Sequence, residues 1–193
     1  MVRVIVAGVL GAAAVFIWGM LSWMPLHSRT ILNLPGEEQV APVLRQNIAQ
    51  AGVYMFPGVD MKKWNDPQVH KAYEEKYRKG PVGLLFIYPN GRAPMTAATF
   101  IRGGAITLAS ALLAAILLAQ AAPALRSYFR RVFFALLVGL FAAVAVYLPG
   151  WNWGGLPTRW TLAMMADTVV TWLLAGLVIA AVVRARRQSG PAA

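Results

Sequence analysis

The chain has 193 residues, 59% of them hydrophobic and only 13% charged, with a formal net charge of +11 and no cysteine. An ordinary soluble domain carries about a quarter charged residues, so this composition places the chain in a membrane rather than in water. Without cysteine, disulfides, thiolate-held iron–sulfur clusters and cysteine nucleophiles are excluded.

The basic excess does not describe a nucleic-acid binder. Arg3, Arg126, Arg130, Arg131, Arg184, Arg186 and Arg187 flank apolar segments instead of lining one face that could follow a phosphate backbone. The two histidines, His27 and His70, lie outside the apolar segments. A bis-histidine haem within the bilayer is thereby excluded, and a histidine-rich metal centre is not expected.

The first apolar segment, Val4 to Met24, is uninterrupted by charge and long enough to cross about 30 Å of hydrocarbon. It ends Trp18-Gly19-Met20-Leu21-Ser22-Trp23-Met24-Pro25, without the small-x-small pattern of a cleavage site. The segment therefore reads as an uncleaved anchor, residues 1–25, rather than a secretory signal.

Residues 26–97 differ in kind. They hold nine of the 18 basic residues and six of the seven acidic ones, as expected of a solvated insert. Arg29 to Leu34 alternates like a short strand. Glu37 to Gln50 reads as a helix with Val40, Val43, Leu44 and Ile48 on one side, although Pro42 argues for a later start. Gly52 to Phe56 is a β-type run closed by Pro57-Gly58.

The next helix carries full boundary signals: Asn65 or Asp66 as cap, Pro67 at the first position, Gly80 after the end. Glu74 with Arg78, and Glu75 with Lys79, stand at the spacing of exposed helical ion pairs. Val82 to Tyr88 is a strand closed by Pro89-Asn90-Gly91, with either Leu85 and Ile87 or Phe86 and Tyr88 facing inward. The lysines at 62, 63, 71, 76 and 79 fit a solvated helix face, able at most to meet anionic headgroups or an acidic partner.

Three more apolar segments follow within 98–183: Ala98 to Gln120, Val132 to Leu148 closed by Pro149-Gly150, and Trp160 to Val183. Residues 184–193 form a basic tail. The expected fold class is thus all-α transmembrane, a four-helix membrane bundle with a small α/β extracytoplasmic insert between helices 1 and 2. Arginine bias orients it. The turn at 121–131 and the tail carry three arginines each, the hairpin at 151–159 only Arg159, so both chain ends are expected in the cytoplasm of a bacterial inner membrane. The long insert is exempt from that count and falls outside, periplasmic or extracellular.

Three constellations bear on function. Trp18, Trp23, Trp151, Trp153 and Trp160 converge toward one membrane face. They read either as an interfacial aromatic belt or as a platform for a lipid, quinone or pigment. Small residues recur every fourth position: Gly103, Thr107, Ala111, Ala115 and Ala119 in the second segment; Ala163, Asp167, Thr171 and Ala175 in the fourth. Such ridges let helices approach closely, within this bundle or against another subunit.

Arg102 and Asp167 are the embedded charges. They lie about four and seven positions inside the outer end, a depth mismatch of about 4–5 Å that an arginine side chain can cover. A structural Arg102–Asp167 bridge is expected, with snorkelling of Arg102 to the headgroups as its competitor.

No hydrolase elbow or phosphate-binding loop is present, and no resident cofactor is evident. The pattern leads to a non-catalytic accessory or assembly subunit of a larger membrane complex, respiratory or photosynthetic, associated with other integral membrane subunits. The alternative is a lipid-, quinone- or pigment-binding protein or transporter component using the tryptophan cluster.

Overall fold

The computed structural model describes residues 1–23, 25 and 28–184. Expectations concerning Met24, His27, the arginines at 186 and 187 and the end of the chain lie outside them. Among the described residues, four helices are long and apolar enough to cross a membrane: α1 (Val2–Ser22), α4 (Ala97–Ala121), α5 (Tyr128–Gly154) and α6 (Thr158–Val182). Between α1 and α4 come α2 (Glu37–Asn47), β1 (Gly52–Phe56), a 3₁₀ turn (Met61–Lys63), α3 (Pro67–Lys79) and β2 (Gly83–Ile87). These elements fall into two compact units. One takes α1, α4, α6 and α5 as far as Pro149; the other takes Asn33–Pro94 with Gly150–Pro157.

The first unit is built on close approach of backbones. Without a hydrophobic drive between helices in lipid, association depends on packing and hydrogen bonds, which favours small residues at the contacts. Gly8 of α1 lies against Leu112 of α4. A Cβ on Gly11 would stand 2.7 Å from Ile179 of α6, and one on Gly139 of α5 would stand 2.5 Å from the Cβ of Trp172. Gly176 is as tightly set against Ala135, with 2.6 Å between the would-be Cβ and the alanine methyl. α1 thus packs on both α4 and α6, while α4 and α6 meet each other little.

The continuous core holds Ala7, Ala115, Leu118, Val132, Ala175 and Ile179. Outward-facing Ile17, Ile106, Phe141 and Leu162 are exposed, as lipid-facing positions must be.

Pro149 does not end α5 as its sequence context implies. A proline forfeits its own N–H bond, but the residues after it can resume the helical pattern. The helix continues to Gly154, and Gly155, in the left-handed conformation (φ +67), turns the chain.

In the second unit the boundary signals act as read. The Asp66 carboxylate accepts from the N–H groups of Gln68 (2.8 Å) and Val69 (3.5 Å), Pro67 opens α3, and Gly80 at φ +70 closes it. Glu74 meets Arg78 at 3.4 Å and His70 at 3.6 Å. Among the described residues Glu75 and Lys79 form no ion pair. His70 also lies edge-on to Trp64, with ring centres 4.7 Å apart, and Trp64 meets Tyr73 in the same way.

Two expectations are corrected. Arg29 to Leu34 is turn and coil, because Pro35 follows at once and cannot donate to a ladder. α2 begins at Glu37 and carries Pro42 inside it, on an exposed side. Of the positions expected on its inner side, Val40, Leu44 and Ile48 are half-buried while Val43 is exposed.

β1 and β2 pair antiparallel, with Val53 opposite Phe86, Tyr54 opposite Leu85 and Met55 opposite Leu84. Leu85 and Ile87 share the half-buried face. Val53, Met55, Leu84 and Phe86 make the other, and all four are exposed. No described residue of this unit is buried.

Candidate functional site

The polar chemistry of the bundle gathers toward the end where the chain leaves α1 for the insert. Asp167, in the third turn of α6, accepts a 2.8 Å hydrogen bond from the indole Nε1–H of Trp18 on α1, across 149 residues of sequence. The next residue of α6, Thr168, reaches the Tyr147 hydroxyl of α5 with its own hydroxyl at 3.5 Å, and Trp160, at the start of α6, stands edge-on to the Tyr147 ring. Side chains of α1, α5 and α6 therefore form a polar seam in an otherwise apolar helix bundle. Buried polar groups need such partners, and helix-to-helix hydrogen bonds supply them where water cannot.

Arg102 does not take part. No ion pair joins it to Asp167 among the described residues. Its Nε donates instead to the Ala98 carbonyl, 3.1 Å away and one turn back along α4. The reason lies in helix order. α1 packs against both α4 and α6, so the nearer donor to Asp167 comes from α1. Helical side chains also lean toward the N-terminus of their helix, which carries the Arg102 guanidinium toward the membrane surface and away from the seam.

Toward the same end, α1 and α4 bound a groove of about 420 Å³. Phe16, Met20 and Trp23 of the α1 segment and Phe100 of α4 form its walls, and Gly19 and Gly103 face into it. A Cβ on either glycine would meet nothing within 4 Å. Its deep end carries the hydroxyl-bearing Thr107 and Thr171. The pair has a second groove, of about 540 Å³, near its other end between Val4, Ile5, Leu112 and Ile116. Both grooves flank the close contact at Gly8, Gly11 and Ala111.

The five tryptophans thus have separate placements. Trp18 serves Asp167, Trp160 packs on Tyr147, and Trp23 lines the groove. Trp151 and Trp153 belong to the second unit, where Trp153 is 87% exposed.

The small-residue ridge of α4 is similarly divided. Ala111 and Ala115 are fully buried, whereas Gly103 and Thr107 open onto the groove. On α6, Ala175 is fully buried, Ala163 half-buried and Thr171 in the groove.

Sequence reading treated Arg131 only as a flanking charge, yet it is 5% exposed. Its Nε donates to Ala180 (3.3 Å), and its Nη1 donates to the carbonyls of Leu125 (3.1 Å) and Arg126 (3.0 Å). Arg131 thereby ties the turn before α5 to the last turns of α6. The Tyr128 hydroxyl makes a parallel bond to the Leu177 carbonyl at 3.0 Å. The available signal was the five-donor geometry of arginine beside a turn with unpaired carbonyls.

No protein-family model, curated protein or solved structure matches the chain.

Proposed function

We propose that this chain is a non-catalytic accessory or assembly subunit of a larger bacterial inner-membrane complex, with both ends in the cytoplasm and the insert in the periplasm. Arg126 just before α5 and Arg130 in its first turn, against Arg159 alone at the start of α6, support that orientation.

The observation that carries the docking role is the bare face of the insert's sheet. Val53, Met55, Leu84 and Phe86 are 59%, 53%, 37% and 68% exposed, without a polar side chain among them. A two-stranded sheet is marginal in water unless something packs on it, and the core of a domain of about 60 residues is small to begin with. Covering what these four side chains still expose would contribute about 3–6 kcal/mol at about 1.5–3 kcal/mol per fully buried large apolar side chain.

The patch extends beyond the strands. Leu84 Cδ1 lies 3.9 Å from where a Cβ on Gly154 would stand, next to exposed Trp153. Apolar surface with aromatic residues at its centre is the composition of a protein-docking patch.

Gentle purification from the native membrane tests the reading. A larger membrane protein should co-migrate with the chain in fixed stoichiometry. A lone monomer in mild detergent would contradict it.

A further inference from the structure

We infer that the end of the first unit where the chain turns from α4 into α5 is a site for one anionic glycerophospholipid, its phosphate held among Arg126, Arg130 and Arg184. The inference needs no docked partner and holds whichever side of the membrane this end faces.

The buried Arg131 brings these residues together. Its Nη1 donates to the Arg126 carbonyl, and its Nε donates to Ala180. The adjoining Ala181 carbonyl receives the Arg184 Nε at 3.2 Å. Arg130 stands beside Arg131 in the first turn of α5, its N–H held by the Ser127 hydroxyl at 3.2 Å. Four arginines thus meet at one end of the unit. Carbonyl dipoles offset the buried charge only in part, and a buried charge without a counter-ion is costly. The unit has a single acid, Asp167, which stands thirteen residues before Ala180 on α6, about 20 Å away.

Arg126 and Arg130 are exposed, and among the described residues their guanidinium groups make no hydrogen bond or ion pair. Arg184 is exposed too and commits only its Nε. What the cluster lacks is an anion, and planar guanidinium groups match a phosphate two donors at a time.

Neighbouring side chains decide between a free phosphate and a lipid. Beneath Arg130, Phe133, Leu137 and Phe141 follow three, seven and eleven positions on, the spacing of one helix face, and all three are exposed. α5 carries no polar side chain from Val132 to Val146. The arginines therefore stand where headgroups meet hydrocarbon, with an acyl chain's worth of apolar surface directly below. Any lipid could cover that stripe; the uncompensated charge selects an anionic one.

The test is lipid retention by the full chain in nanodiscs of phosphatidylcholine doped with phosphatidylglycerol, read by native mass spectrometry. The wild type should retain one phosphatidylglycerol in preference to phosphatidylcholine. Arg130→Gln should lower that preference about fivefold, the equivalent of about 1 kcal/mol for one arginine near an anionic surface, and Arg126→Gln combined with it about 25-fold. Neither side chain bonds to the protein, so both variants should unfold where the wild type does. Arg159→Gln removes the same charge from the exposed start of α6 and should leave the preference as it is. Millimolar glycerol phosphate, which lacks acyl chains, should not displace the lipid. Equal retention of the two lipids by the wild type, an unchanged preference in the folded double variant, an equal loss in Arg159→Gln, or displacement by glycerol phosphate would each overturn the assignment.

Discussion

The hydrogen bond from Trp18 to Asp167 sets up a comparison of two double-mutant cycles. At 2.8 Å the bond is at the short end of the N–H···O range, and it joins two helices where water cannot substitute. Hydrogen bonds between transmembrane helices are worth about 0.6 kcal/mol on average and about 1.7 at most. A strong acceptor places this one in the upper half of that range, about 1–1.7 kcal/mol. Trp18→Phe keeps most of the ring and removes the donor; Asp167→Ala removes the acceptor. The double variant should therefore lose less than the two single losses combined, by about 1 kcal/mol. The second cycle combines Arg102→Gln with Asp167→Ala. Arg102 donates to Ala98 instead, so these effects should add within about 0.3–0.5 kcal/mol. Equilibrium unfolding in mixed micelles reads both cycles. Additivity in the first with coupling in the second would refute the helix order in which α1 stands between α4 and α6.

Other predictions follow from the same geometry. Single cysteines at Asn90 and Gly155 should react with an impermeant thiol reagent in intact spheroplasts and one at Ser127 should not; the reverse pattern would invert the topology. Arg131→Met should destabilise the bundle by about 2–4 kcal/mol in the same unfolding assay, because it unpairs the carbonyls of Leu125, Arg126 and Ala180, and Arg131→Lys should recover little, since a single ammonium cannot reproduce the fork. Gly139→Leu should cost about 1–3 kcal/mol by driving α5 off Trp172, whereas Gly103→Leu should cost nothing in the same assay.

The spans were legible because a bilayer imposes one requirement, a run of about 20 apolar residues, that composition alone can meet. The strands at 52–56 and 83–87 and the cap of α3 were legible for a local reason: Pro, Gly and Asp punctuate them within a few residues. Contacts between spans were not. Arg102 and Asp167 were matched by depth, yet depth does not say which helices are neighbours, and α1 occupies the position that would have brought them together. Alanine and glycine repeats marked α4 as a packing ridge along its length, but only its part from Ala111 to Ala119 packs on the core, and Gly103 and Thr107 are left in a groove. In α1, Gly8 with Ala12 and Ala7 with Gly11 are single pairs at the same four-residue spacing, too short to stand out in an alanine-rich span, yet both glycines sit in tight contacts. The insert's bare sheet face follows from strand register, since Phe86 and Leu85 differ by a single step of the pleat.

The docking role is tested most directly by a photoreactive residue placed on each face of that sheet in native membranes. At position 86, beside Val53 and Leu84 on the exposed face, it should cross-link to one protein, the same chain that co-purifies in mild detergent. At position 85, on the half-buried face, it should give only internal cross-links. Adducts at position 86 confined to lipid, or no adduct at all, would contradict the proposal that this face meets a partner subunit.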